Sequence, residues 1–356
     1  MRIALALSER GRGRTSPNPM VGALVVGPDG VIVGTGHHER AGTPHAEIHA
    51  LRAAGARARG ATLYCSLEPC CHTGRTGPCA VAIVEAGIAR VVAAVEDPNP
   101  LVAGGGFRYL RERGVDVRAG VLGLEARRQN EAFFTSVVLG RPFVTMKIAM
   151  SLDGRIASAP GRRTPISGPG ANRHAQRIRA EVDAIAVGSE TVVVDDPLLT
   201  ARDVYRDRPL TRVIFDGRLR LAPGARVLST LDRGPVIVVT TEGACEGVAD
   251  RAGRLRAAGA TLLPLARRDL GAALAALGRR GISSLLVEGG ARLHAACWEA
   301  GVVDRVRWYV SAAALGPEGV PWSVPASCGV ASLADVRVEP LDGGDVLIEG
   351  HVHRTH

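Results

Sequence analysis

The chain predicts an α/β protein of two domains, on three observations. Its 356 residues are about twice the ~150 that one domain takes. Short apolar, β-branched runs alternate with segments whose apolar positions recur at helical spacing, the pattern of strands exchanging with helices. Gly140-Arg141-Pro142 interrupts that alternation and predicts a first domain over residues 1–141 and a second over 142–356.

Taken in order, residues 1–10 have apolar positions at helical spacing. Residues 21–26 and 31–33 read as strands joined by the turn Pro28-Asp29-Gly30, a hairpin signal. A helix follows over 45–56, then a short strand over 62–66 and a helix over 79–86 closed by Gly87. A strand over 90–95 stops at Asp97-Pro98-Asn99-Pro100. A helix over 107–113 and a strand over 115–117 complete the first unit. Beyond the boundary, residues 143–149, 183–187, 212–216, 236–240, 261–265 and 285–288 are strand-like. Helical segments over 173–179, 249–258, 270–277 and 293–299 alternate with them, which predicts a mainly parallel sheet. There is no internal repeat and no low-complexity segment.

With 46% hydrophobic and 22% charged residues, the composition is that of a globular chain and excludes disorder as the dominant state. No apolar run nears the ~20 residues that span a bilayer. No signal-peptide core opens the chain, so the expected location is the cytoplasm, away from membranes. The formal net charge is +9, nearly all of the positive charge being Arg. That suits either a nucleic-acid binder or an enzyme for phosphorylated small molecules. The Arg residues are scattered, and aromatics at 3% are too few for base stacking, so the second reading is favoured.

Four of the seven cysteines, Cys65, Cys70, Cys71 and Cys79, lie close together. In a cytoplasmic chain such a cluster points to metal or redox chemistry rather than to a disulfide scaffold. Cys245, Cys297 and Cys328 are isolated and read as small buried hydrophobes. His45-Ala46-Glu47 opens the helix after Pro44, and Glu68-Pro69-Cys70 and Cys79 follow. One imidazole and two thiolates make a tetrahedral Zn²⁺ set with the fourth position open, the mark of a catalytic site. An open position holds a water and lowers its pKa towards ~7. Glu47, two residues from His45, can move protons without being a ligand. Zinc nucleobase deaminases carry H-x-E and then P-C-x-x-C; here the first half matches and the second is stretched. Other arrangements remain open at this point. His45 and His49 could ligate from one helix face, Cys71 could replace Cys70, and Cys65 or His72 could close a structural site. Arg75, with Gly74 and Gly77 beside the metal, suits an anion or is plain surface charge.

The second half is less specific. Residues 285–290 are a strand ending in Gly289-Gly290 ahead of a helix. Such a junction either cradles phosphate or is a tight turn, and it is not the dinucleotide fingerprint G-x-G-x-x-G. Lys147 in a strand and Asp195-Asp196-Pro197 in a loop are polar groups near apolar runs.

Several motifs together resemble the bifunctional pyrimidine deaminase/reductase family of riboflavin biosynthesis. They are Thr15-Ser16-Pro17-Asn18-Pro19-Met20-Val21-Gly22, His38-Glu39-Arg40-Ala41-Gly42, Pro44-His45-Ala46-Glu47, Glu68-Pro69-Cys70 and Asp97-Pro98-Asn99-Pro100. The stretched Cys70-to-Cys79 spacing is that family's own. In the second half the carriers are Lys147-Ile148-Ala149-Met150-Ser151-Leu152-Asp153-Gly154, residues 191–202 and Val287-Glu288-Gly289-Gly290.

The resemblance implies a cytidine-deaminase-like domain followed by a dihydrofolate-reductase-like domain. It implies zinc on His45, Cys70 and Cys79, Glu47 as proton shuttle, and Asn18 and His38 as pocket residues. It implies NADPH at Ala149, Pro165, Thr191, Asp195, Gly217 and the turn Gly290, Ala291, Arg292, Leu293, His294, Ala295 and Ala296. Substrate would meet Lys147, Arg163, Arg179, Leu199, Arg202 and Glu288. Pro165 stands where the family usually has Trp, and Arg163 where it has a small polar residue. The expected reactions are hydrolytic deamination of a phosphoribosylamino-pyrimidinone, then reduction of its ribosyl to a ribityl chain. The expected partners are that phosphorylated pyrimidine and further copies of the chain, without nucleic acid. A base deaminase acting on RNA with an unrelated second domain, and a zinc module that binds nucleic acid, are the alternatives.

Overall fold

The computed structural model describes residues 1–71, 77–100, 102–322 and 329–352. It divides into two compact units, Met1–Gly140 and Arg141–His356. His72, Gly74, Arg75 and Cys328 lie outside the described residues.

In chain order the first unit has α1 (Arg2–Ser8), β1 (Gly22–Val26), β2 (Ile32–His37), α2 (Ala46–Ala54), β3 (Thr62–Cys65) and α3 (Cys79–Glu85). Then come β4 (Arg90–Ala93), α4 (Gly105–Arg111), β5 (Asp116–Arg118), α5 (Gly123–Gln129) and α6 (Glu131–Leu139). The sheet runs β2-β1-β3-β4-β5. β1 is antiparallel to both β2 and β3, and β3, β4 and β5 are parallel. Ala23, Val25, Leu63, Val91 and Ala93 of the sheet pack with Ala46, Ala50 and Ala54 of α2 and Ile83 of α3. Their alternation along each strand follows the period of two that puts every second side chain on one face. β2 extends to His37, well past the expected end at residue 33. Its Gly34 and Gly36 are poor strand formers, but any Cβ there would strike the α2 backbone at Ala50 and Ala46. Packing against α2, not propensity, selects them.

The second unit has β6 (Phe143–Ser151), β7 (Arg155–Ala157), α7 (Pro169–Glu181), β8 (Ala184–Gly188), α8 (Ser189–Asp195) and β9 (Thr211–Phe215). Next are β10 (Val236–Thr241), α9 (Glu242–Gly247), α10 (Ala249–Ala257), β11 (Ala260–Leu265), α11 (Leu270–Gly278), β12 (Ser284–Gly289) and α12 (Ala291–Glu299). β13 (Arg305–Ser311), β14 (Val320–Pro321), β15 (Ala334–Pro340) and β16 (Val346–His351) follow. Nine strands form one sheet in the order β11-β10-β9-β8-β12-β6-β13-β16-β15. The first seven are parallel, and β16 and β15 join antiparallel. Neighbouring residues feed opposite cores: Val213, Ile237 and Val287 belong to one, Ile214, Val238 and Ile185 to the other. Both faces of a parallel sheet are thus covered, as its continuous apolar runs require.

Several further features differ from expectation. α5 and α6 precede the boundary, α8 follows β8 directly, and the sheet gains β13, β15 and β16. Asp195 is the last residue of α8 rather than part of a loop. Cys297 is buried as expected, but Cys245 is only half-buried. No helix among the described residues is long and apolar enough to cross a membrane.

Candidate active sites

In the first unit, two helix starts meet. His45 is the residue that caps α2, extended at φ −74° and ψ 164°, and Cys79 is the first residue of α3. His45 Nδ1 lies 3.3 Å from Cys79 Sγ and 3.5 Å from Cys70 Sγ. The Cys79 backbone N–H donates to Cys70 Sγ at 3.3 Å, a bond that favours thiolate. The three donor atoms lie within 4.8 Å of one another. Beside the Cys79 thiol and the His45 imidazole, the Cys70 thiol is held below its ordinary range. One imidazole and two thiols so placed fit zinc and leave a coordination position open. Cys71 sits against Gly105, and Cys65 is buried in the core, where burial pushes its thiol up. Neither they nor His49 joins the group. Glu47, in the first turn of α2, is 3% exposed and faces Cys70, His45 and Cys79. Burial pushes its carboxyl up to about 7.

Asn18 and His38 are brought to this place as a bonded pair. His38 Nδ1 is 3.2 Å from the Pro44 carbonyl, which can only accept. Nε2 is therefore the acceptor for Asn18 Nδ2, 3.1 Å away. Burial holds His38 below the ordinary imidazole range, and its ring meets His45 edge-on, 5.4 Å between centroids.

Two residues that the sequence reading passed over hold this arrangement. Glu68 is buried, and its carboxylate accepts from four backbone N–H groups, those of Asp97, Gly104, Gly106 and Phe107. It ties the turn carrying Cys70 to the start of α4. Asn130 accepts from Met20 N–H at 2.7 Å and donates to Met20 O at 2.9 Å, pinning the loop that carries Asn18. The Glu-Pro-Cys run could have marked Glu68; nothing local marks Asn130.

In the second unit a cavity of about 1680 Å³ opens along the carboxyl ends of the parallel strands, where such sheets bind ligands. Lys147, Ala149, Arg163, Pro165, Thr191, Asp195, Gly217, Arg202 and Glu288 line it, as do Gly290, Ala291, Arg292, Leu293, His294 and Ala296. Arg179, Leu199 and Ala295 are not among its lining residues. Leu199 is 4% exposed and packs into a core cluster, with φ at +53°. Arg179 is spent on Glu288, in two bonds of 2.7 and 2.6 Å, and on the Thr200 carbonyl at 3.0 Å. Burial works against the Glu288 charge, but Arg179 holds its carboxyl below the ordinary range. Lys147 is half-buried with its ammonium 5.3 Å from the Tyr309 ring centre, and desolvation lowers its pKa. Gly290 caps α12 in extended conformation, and Thr191 Oγ1 sits where a Cβ on Gly289 or Gly290 would touch it. The first N–H groups of α12 thus open on the cavity beside Arg292, a donor set that fits the pyrophosphate of a dinucleotide.

A zinc-type deaminase site in one unit and a ligand cavity along a parallel sheet in the other define a bifunctional deaminase/reductase. Known proteins agree. The family model for the cytidine and deoxycytidylate deaminase zinc-binding region matches residues 1–95, and that for the RibD C-terminal domain matches residues 142–344. Riboflavin biosynthesis protein RibD of Aquifex aeolicus is 42% identical over 89% of this chain and 87% of its own. That of Escherichia coli is 40% identical over 89% and 88%. The solved structure of Acinetobacter baumannii RibD superposes with a TM-score of 0.86 at 35% identity, covering 98% of this chain and 97% of that one. The Thermotoga maritima diaminohydroxyphosphoribosylaminopyrimidine deaminase/5-amino-6-(5-phosphoribosylamino)uracil reductase gives 0.85 at 34%, covering 99% and 97%. The chain belongs to the RibD family of bifunctional riboflavin-biosynthesis enzymes. The match over residues 142–344 sets aside an unrelated second domain, and the deaminase match over residues 1–95 with the RibD relatives sets aside a non-catalytic zinc module.

Proposed function

We propose that the first unit hydrolytically removes the 2-amino group of 2,5-diamino-6-(5-phosphoribosylamino)pyrimidin-4-one, and that the second reduces the ribosyl group of the product to ribityl with NADPH. The deaminase assignment is carried by the convergence of His45, Cys70 and Cys79 with the buried Glu47. Those three side chains would hold the zinc, which when bound supplies the Lewis acidity that activates water. Glu47 takes a proton from that water at its carboxylate and hands it to the leaving amine. Asn18, turned by its bond to His38, orients the pyrimidine edge.

In the second unit, Gly290, Ala291, Arg292 and the rest of the α12 turn, with Thr191, Asp195, Gly217, Ala149 and Pro165, hold the dinucleotide, which supplies the hydride. Lys147 and Glu288 face the sugar, and Arg179 acts through Glu288 as a positioning residue. Arg163 and Arg202 receive the phosphate, whose two negative charges suit guanidinium donors. We further infer a cytoplasmic homo-oligomer that takes no nucleic acid. Incubating the purified chain with the diaminopyrimidine phosphate tests the function: ammonia should appear first, and NADPH oxidation only after it. Absence of ammonia release would overturn the deaminase assignment.

A further inference from the structure

Lys147 is the only lysine of the chain: every other one of its 44 lysines and arginines is an arginine. This one position keeps an amine, a compact charge with three donors, where the planar guanidinium serves everywhere else. Among the described residues its ammonium makes no hydrogen bond and no ion pair. Glu288, the carboxylate near it, is taken up at both oxygens by Arg179. What the ammonium does meet is a ring. Lys147 Nζ stands over Tyr309, 5.3 Å from the ring centre, within the ~6 Å at which an aromatic face attracts a cation.

The fold builds this contact. Met146, Ile148, Val306 and Trp308 face one core of the sheet, so Lys147, Arg307 and Tyr309 alternate to the other face. β6 and β13 pair Lys147 with Arg307 and Ala149 with Tyr309, which makes Tyr309 the diagonal neighbour of Lys147. Lys147 lines the cavity and Tyr309 does not. The tyrosine is 2% exposed and packs with Ala171 of α7 and Leu347 of β16. Its hydroxyl shares a 2.8 Å hydrogen bond with His174 Nδ1, so its polar tip is satisfied where it is buried. A carboxylate in that place would take up N–H donors; an aromatic face holds the charge and leaves all three free. Resting on the reductase reading above, we infer that Tyr309 is a positioning residue of the reductase: its ring holds the Lys147 ammonium at the sugar end of the cavity with its donors free for the substrate.

A single lysine makes the test direct, because the full chain grown on lysine labelled with ¹³C at Cε gives one lysine resonance. In the wild type the Lys147 ε-methylene protons should lie upfield of their position in the urea-unfolded chain, the sign of a ring beneath them. Tyr309→Leu should lose that displacement. Its Lys147 should also titrate about half a unit to one unit lower, since the ring favours the charged form. Glu288 of β12, Arg179 of α7, Arg307 of β13 and His294 of α12 also face this amine, and none of them changes in the variant. Tyr309→Phe keeps a ring and should restore both signals. On the deaminated substrate, Tyr309→Leu should lower reductase kcat about ten- to a hundredfold, more than it raises KM. Tyr309→Phe should recover most of that loss, and ammonia release by the first unit should be unchanged. Should Tyr309→Leu fail to fold, Tyr309→Met takes its place. A wild-type resonance at its unfolded position overturns the inference by itself. So does an aliphatic variant with wild-type titration, or one with the shift but unchanged kcat. In each of these cases NADPH oxidation by the wild type leaves the reductase reading standing. A wild-type chain that oxidises no NADPH on the deaminated substrate overturns both.

Discussion

Arg179 grips Glu288 at two points, Nε to Oε1 at 2.7 Å and Nη2 to Oε2 at 2.6 Å. The side chains are 16% and 8% exposed, so this is a buried pair whose members cannot be removed singly without leaving a bare charge. It also settles what Arg179 does with its fork. Parallel donors that could clamp a phosphate are already on a carboxylate at the end of β12. Arg202, whose backbone N–H is bonded to Gln176, lines the cavity, and in the function proposed above its guanidinium is the one that meets the phosphate.

The two arginines should therefore behave differently. Arg179→Ala strands Glu288 and should cost about 3 kcal/mol of stability, seen as a lower melting temperature, together with loss of reductase turnover. Arg202→Ala should leave melting unchanged and raise KM about ten- to a hundredfold with kcat nearly kept. Identical melting of Arg179→Ala and wild type would return the pair to a surface role.

Zinc content should follow the thiols. Cys70→Ala and Cys79→Ala should each lose the metal and deamination while NADPH oxidation on the deaminated substrate persists. Metal analysis checks the first part, and full zinc retention in either variant would remove that residue from the ligand set.

Glu47→Gln should keep zinc, because the carboxylate is not among the three converging ligands. Deamination should fall by at least about a hundredfold, the scale of general acid–base catalysis. The reductase, in the other unit, should be unaffected. Near wild-type ammonia release would mean another group moves the proton.

His294 supplies a pH dependence. Burial lowers its pKa to about 4 from the ordinary imidazole value of 6.5. Between those values the unfolded chain holds a proton that the native one does not, so stability rises with pH. It is complete above 6.5 and is lost as pH falls towards 4, on the order of 3 kcal/mol in all. All three tryptophans, Trp298, Trp308 and Trp322, lie in the second unit, so their fluorescence during urea unfolding reads it alone. His294→Leu should lose less stability than wild type between pH 7 and pH 4.5; equal slopes would contradict the burial of a neutral imidazole.

By itself the sequence determined what local spacing encodes. His45 and Glu47 share one helix start, Cys79 follows Cys70 closely in the chain, and a paired glycine ends a strand ahead of a helix. The apolar β-branched runs marked the parallel strands, because a strand covered on both faces must be apolar throughout. Motif resemblance added the deaminase and reductase assignments that composition could not. Only the tertiary structure decided pairings between distant segments. Glu68 meets the N–H groups of Asp97, Gly104, Gly106 and Phe107, Asn130 meets Met20 across 110 positions, and Arg179 meets Glu288 across 109. A lone carboxylate or amide has the same local signature whether it ends in water or in a buried bond. Which of these it becomes depends on what the fold packs against it, and that information resides in contacts that no window of neighbouring residues contains.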